Sequence, residues 1–227
     1  MDVEGQETPS RYFVGQDQIA LNPMLLLAEV EHRIANEFAL AVSSINLIAR
    51  DCAGQAKEAL AHAATRLTDY AHAHRALLPP VGEGPIDLSV YLRDVCQALT
   101  RASLAERRIA LSLHETSITI EIWRAWRIGL VVSELISNSV RHGVWPVAGG
   151  TIRVEIASDD FDICCRVTDN GRGFKAFSRG TGTNIVDALV VEMCGCINRE
   201  FYREGVAVLL TIPRFHPASR GFNQPLG

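Results

Sequence analysis

Glu29-Val30-Glu31-His32-Arg33-Ile34-Ala35-Asn36 lies inside an apolar-periodic segment that runs from about Pro23 to Arg50. Leu27, Val30, Ile34, Ala41, Ile45 and Ile48 recur mostly at steps of three and four, the spacing of one face of an α-helix. His32 falls off that seam, because two residues at about 100° each turn it away from both Val30 and Ile34. Asn36, four residues on, shares its face. A histidine is thus presented on the wet side of a long helix, flanked by Glu29 and Glu31. For an isolated histidine the plain reading is a solvated surface residue, and only the rest of the chain argues otherwise.

Asp51 to Gly54 breaks this helix, and a second is expected from about Gln55 to Leu78, with Leu60, Ala63, Leu67, Tyr70, His74 and Leu77 in the same rhythm. Pro79-Pro80 ends it, since proline cannot donate a backbone hydrogen bond. Two long amphipathic helices with a short break read as an antiparallel hairpin. One hairpin cannot enclose its own apolar seam, so a second copy completing a four-helix bundle is the expected cover, and a homodimer follows. Val81-Gly82-Glu83-Gly84-Pro85 has linker composition. Beyond it helices alternate with strands: helices at 87–103, 121–142 and 184–193, and strands at 108–113, 151–157, 162–168, 197–202 and 206–212. Residues 1–20 read as a flexible arm too short for a sensory domain, 21–80 as the hairpin, 81–86 as linker, 87–215 as an α/β domain and 216–227 as a tail. The fold class is α+β: a helical hairpin followed by an α/β sandwich with a mixed sheet.

The composition excludes several classes. With 227 residues, 48% of them hydrophobic, the chain can bury a core. A net charge of −4 gives no general attraction to nucleic acid. No apolar run approaches the roughly 18 residues of a membrane span, and the acidic start is unlike a secretory signal. The six cysteines form no C-x-x-C pair. They are expected to pack mostly as small reduced hydrophobes, so the chain is read as cytoplasmic.

Three motifs in the second half carry chemistry. Glu134-Leu135-Ile136-Ser137-Asn138 continues to Arg141-His142-Gly143, placing Glu134, Asn138 and Arg141 on one helical face. A carboxylate, a carboxamide oxygen and a cation suit a hydrated Mg²⁺ carrying phosphates; alone they read equally as a solvated face. Asp169-Asn170-Gly171-Arg172-Gly173-Phe174 follows a strand, where an Asp accepts from an exocyclic amine and glycines let backbone approach a flat ring. A plain Asn-Gly turn explains it nearly as well. Gly180-Thr181-Gly182-Thr183-Asn184 runs into a helix, whose N-terminal N–H groups make a phosphate site. It is neither a Walker loop nor a dinucleotide fingerprint.

In this order the three motifs resemble the N, G1 and G2 boxes of the Bergerat-type ATP-binding fold of sensor histidine kinases, which gyrase and Hsp90-like ATPases share. The hairpin's Glu-Val-x-His-Arg-x-x-Asn, with Arg66 and His74 on the second helix, resembles the dimerisation and phosphotransfer hairpin of the HisKA-2 and HWE group. No Trp-x-Glu separates the N and G1 boxes, which favours the HisKA-2 side. The resemblance covers roughly residues 24–213. It implies that His32 accepts phosphate with Glu29, Glu31 and Asn36 around it. It also implies that Asp169 binds the adenine amino group, that Asn138 holds Mg²⁺, and that Gly171, Gly173, Gly180 and Gly182 shape an ATP pocket. Glu134, Arg141, His142 and Thr183 complete that pocket. Ala35 stands where the group usually has Lys and Glu37 where it often has Asn. Thr181 and Thr183 replace leucines, and six residues, Phe174 to Arg179, make a short lid.

The leading expectation is an ATP-dependent histidine kinase passing phosphate to an aspartate of a response-regulator receiver, its sensor on a separate protein or lost. A phosphotransfer protein with a degenerate ATP domain is the second reading. A non-catalytic module that binds the regulator is the third.

Overall fold

The computed structural model describes residues 23–82, 84–172 and 180–215, with side chains in the first helix from Glu29 onward. The expected arm, Gly173, the lid and the tail lie outside the described residues. Helices α1 (Pro23–Arg50) and α2 (Gly54–Ala76) form the hairpin. Its seam is not the one expected. Ile34, Ala35, Phe38, Val42, Ile45 and Ala49 face α2, whereas Val30, Leu40, Leu47 and Ile48 stay 50–68% exposed. The helix carries two apolar stripes, one on either flank of Ala41, and the expected seam merges them. Ile45 therefore belongs to the hairpin's own packing, and the outer stripe is centred near Leu47.

The α/β domain places three helices, α3 (Leu88–Leu99), α4 (Ile122–His142) and α5 (Thr181–Glu192), over a five-stranded sheet. The strands are β2 (Ile109–His114), β4 (Gly150–Ser158), β5 (Asp162–Asp169), β6 (Cys196–Tyr202) and β7 (Gly205–Pro213), in the order β2-β4-β5-β7-β6. β2 and β4 run parallel and every other pair antiparallel, so the sheet is mixed as expected. A two-stranded ribbon of β1 (Pro85–Asp87) and β3 (Thr119–Glu121) replaces the end of the expected linker. Asp87 then caps α3: its Oδ1 accepts from the Ser89 N–H and hydroxyl at 2.8 and 2.7 Å, and its Oδ2 from Ser117 at 2.7 Å. These donors, Ser117 first, hold the carboxyl down at about 2.

Along α4 the buried ridge is Ala125, Ile128, Val132, Leu135 and Ile136. Ile122, Trp126 and Leu130, expected there, are half-buried. The reason for Trp126 is informative: its indole N–H donates to the Leu77 carbonyl at 2.9 Å. Ala73 of α2 joins the domain core, and Glu106 takes His62 at 3.2 Å as well as Arg66. The α/β domain is thus packed on α2 rather than merely tethered to it. Of the six cysteines, all unpaired, only Cys96 and Cys165 are buried, and burial pushes both thiols up to about 12. Cys194 and Cys196 are exposed, so the apolar packing expected for most of the cysteines holds only for Cys96 and Cys165. Among the described residues no helix is long and apolar enough to cross a membrane.

Candidate nucleotide site and acceptor helix

The site is assembled where α4 ends, β5 ends and α5 begins. Alternation along β5 buries Ile163, Cys165 and Val167, which delivers Asp169 half-buried at the strand terminus. Both its carboxylate oxygens are held. Oδ1 accepts from the Gly171 N–H at 2.9 Å, and Oδ2 from the Ser139 hydroxyl at 2.6 Å. Asn170 turns aside, its Oδ1 accepting from Thr151 N–H at 2.8 Å. Val144 and Arg172 exchange two backbone hydrogen bonds, at 2.9 and 2.8 Å, which staples the loop after α4 to the loop after β5. A side chain at Gly171 would begin 3.0 Å from the Gly143 Cα.

Helix α5 begins at Thr181, three residues earlier than its expected start, with Gly180 at the N-cap. A glycine there offers no side-chain cap. Glu134 approaches instead: a Cβ on Gly182 would fall well inside contact distance of Glu134 Oε1. A carboxylate beside the first turn of a helix sits at the positive end of its dipole, where a phosphate would also be favoured. Thr183 is buried in that turn. Asn138 is half-buried one turn beyond Glu134 on α4. Arg141 lines a cleft shared with α2, and His142 is exposed beside it.

The arrangement fits a magnesium nucleotide. Glu134 and Asn138 offer two oxygen donors on one helical face. Among the described residues no group of three or more His, Cys, Asp and Glu forms a metal cage.

On the hairpin, His32 is exposed and its Nδ1 lies 3.4 Å from Asn36 Nδ2. Glu29 is engaged by Arg33 at 2.8 Å, and that hydrogen bond and charge hold its carboxyl below the usual range. Glu31 turns into the hairpin seam, 3.5 Å from His74 Nδ1, and its Oε2 is buried with no hydrogen-bond partner. Ala35 lies in the groove between the helices.

Residues 29–103 match the HisKA-2 family model, described as histidine kinase. Residues 124–215 match the model of histidine kinase-, DNA gyrase B- and HSP90-like ATPases. The chain belongs to the histidine kinases. Among relatives, it is 24% identical over 204 residues to blue-light-activated histidine kinase 1 of Erythrobacter litoralis, covering 85% of this chain and 54% of that one. It is 26% identical over 209 residues to the sensor histidine kinase PdtaS of Mycobacterium tuberculosis, covering 87% and 41%. The chain thus spans about half the length of these relatives. In fold, this kinase chain resembles the solved kinase domain of a blue-light-activated histidine kinase from Erythrobacter litoralis, with TM-score 0.56, 19% identity and coverage of 78% and 95%. It also resembles a bacterial phosphotransferase, with TM-score 0.58, 15% identity and coverage of 84% and 96%.

Two residues of the site escape the sequence reading. Ser139 was legible in principle, since it falls on the buried stripe three and four positions after Ile136 and Leu135, where a serine needs a partner. Gly205 reads only as a hairpin turn. Its φ of +150° and the carbonyl of Asp169 pressed against its Cα show a second duty, which only the pairing of Asp169 with Val206 reveals.

Proposed function

We propose that this histidine kinase chain phosphorylates His32 from ATP and passes the phosphoryl group to an aspartate on a response-regulator receiver. The observation that carries the reading is Asp169. Its two oxygens are fixed by Gly171 and Ser139 at a strand end, each with a lone pair left for an exocyclic amine, as an adenine site requires. Gly180, Gly182 and Thr183, with the start of α5, hold the phosphates. Glu134 and Asn138 hold Mg²⁺, which supplies charge neutralisation of the triphosphate.

Most of the catalysis is positioning. With the Asn36 carboxamide turned so that its oxygen accepts the Nδ1 proton, the lone pair of His32 lies on Nε2. Nε2 attacks the γ-phosphorus, the bridging P–O bond breaks with its electrons leaving on ADP, and the Nδ1 proton passes to a carboxylate. Arg33 depresses the basicity of Glu29. Glu31 faces His74 in the seam, so it takes the proton only after turning out toward His32.

The reading includes a homodimer through the exposed stripe of α1 and a cytoplasmic location, in keeping with six unpaired cysteines. The test is incubation with labelled ATP and Mg²⁺. His32→Ala is expected to abolish acid-labile, base-stable label while ADP binding persists. Label retained in that variant refutes the acceptor. Failure of the wild type to bind ATP or ADP at millimolar concentration favours the phosphotransfer reading instead.

A further inference from the structure

We propose that the cleft between the hairpin and the α/β domain is a second ligand site, distinct from the nucleotide pocket, for a small phosphate-bearing anion. The cleft encloses about 300 Å³ between α2, the residues after α3 and the end of α4, a volume at the small end of ligand pockets. Three guanidinium groups line it, Arg66, Arg107 and Arg141, against the single carboxylate of Glu106. That is a local excess of positive charge in a chain whose net charge is −4.

Two of the three guanidinium groups are held by neighbours. Arg66 pairs with Glu106, donates to the Tyr70 hydroxyl and lies 5.2 Å over the Tyr70 ring. Arg107 donates from Nη1 to the Val140 carbonyl across the cleft at 3.3 Å. Arg141 makes no ion pair among the described residues. Each guanidinium has five N–H donors, so these bonds leave several in hand at the cleft, and Ser103 and Ser137 add hydroxyls to its lining. Planar forks of this kind match phosphate oxygens in pairs.

The position gives the site a consequence. Its walls come from both halves of the chain, and Ser137 and Arg141 flank Asn138 on the helix that carries the nucleotide residues. An occupant binds this docking of the domain on α2 better than any other, so it shifts the population toward it.

The experiment is a titration of the full chain with inorganic pyrophosphate, read from the ¹⁵N-labelled arginine Nε–H signals and the backbone amides. Saturable shifts at Arg66 and Arg107 are expected, weakening as salt rises. Arg107→Gln, an exposed position, should weaken binding by about tenfold or more, the scale of one lost charge-assisted hydrogen bond. Glu106→Gln should tighten it, a change of opposite sign that damage to the fold would not produce. The proposal is overturned by shifts confined to Gly180–Thr183, by no saturable binding, or by Glu106→Gln binding no tighter than wild type.

Discussion

Replacing Ser139 by Ala removes one hydroxyl from a residue that is only 7% exposed and bonded to Asp169 Oδ2 at 2.6 Å. A hydrogen bond to a charged group contributes about 1.5–3 kcal/mol. Asp169 is half-buried, so water replaces part of the loss, and about 1–2 kcal/mol is the expected cost. At this chain length each kcal/mol moves the melting midpoint by roughly 2–4 °C, which gives a fall of ~2–8 °C. The same loosening frees the carboxylate to rotate about the one bond left, from Gly171, and should weaken ADP binding roughly five- to thirtyfold. Ser133→Ala is the control. It lies on the same helix, is similarly buried, and its hydroxyl only bonds back to the Leu130 carbonyl at 2.8 Å. Any gain in helix propensity is common to both substitutions. Thermal unfolding and calorimetric ADP titration of the two variants decide the matter. If Ser139→Ala behaves like Ser133→Ala in both assays, Ser139 does not position Asp169.

Gly205→Ala should be more damaging to stability than Ser139→Ala, because a Cβ at φ +150° collides with the Asp169 carbonyl; a denaturation midpoint equal to wild type would contradict it. Leu47→Glu should convert a dimer to a monomer by light scattering at micromolar concentration, leaving ADP affinity unchanged, and a monomeric wild type would remove the bundle from the reading. Asp87 gives a pH signature. Its folded value of about 2 lies below the ordinary 3.8, so its contribution is fully present above pH 4 and is lost as pH falls toward 2. Asp87→Asn should flatten the stability profile across that window, as followed by denaturation at a series of pH values.

The hairpin and the mixed sheet were legible because their signals are local. The three/four rhythm of α1, the break at Asp51 and the alternation of Ile152-Arg153-Val154 against Cys165-Arg166-Val167 each fit within one element. What was not legible depends on two elements meeting. Periodicity alone could not assign Val30 to the outside and Phe38 to the inside, since both belong to apolar stripes on a helix that has two. The ribbon of Pro85–Asp87 with Thr119–Glu121 needs a partner 32 to 36 positions away, and a three-residue strand has no period to detect. Glu31 reads as a neighbour of His32, yet about 100° of helix separates them, enough to send its carboxylate to His74. Ser139 and Gly205 show the same limit inside the site, since each is explained only by the oxygen of Asp169 that it touches.

On the proposed reading, in which His32 accepts the phosphoryl group, the docking of the domain on α2 bears on the route of transfer. Glu31 contacts His74, and three residues on, the Leu77 carbonyl receives the indole of Trp126. The acceptor level of the hairpin therefore lies close to the first turns of α4. Asn138 is twelve residues further along that helix, about 18 Å at 1.5 Å per residue. With its domain docked in this way, the nucleotide residues face α5 and β5 while His32 faces solvent, so transfer to the same chain's histidine requires the domain to leave α2. Part of what holds it there is weak. One indole hydrogen bond contributes about 0.5–1.5 kcal/mol, and the pairs of Glu106 with His62 and Arg66, all partly exposed, contribute about 0–1 kcal/mol each. Ala73 is the stronger tie, because its burial in the core must be given up as well. Ala76 and Leu77 pack against the same core, so the docking joins a small apolar contact to these weak polar ones, and differential binding of a few kcal/mol by a ligand or a partner is enough to invert such a population.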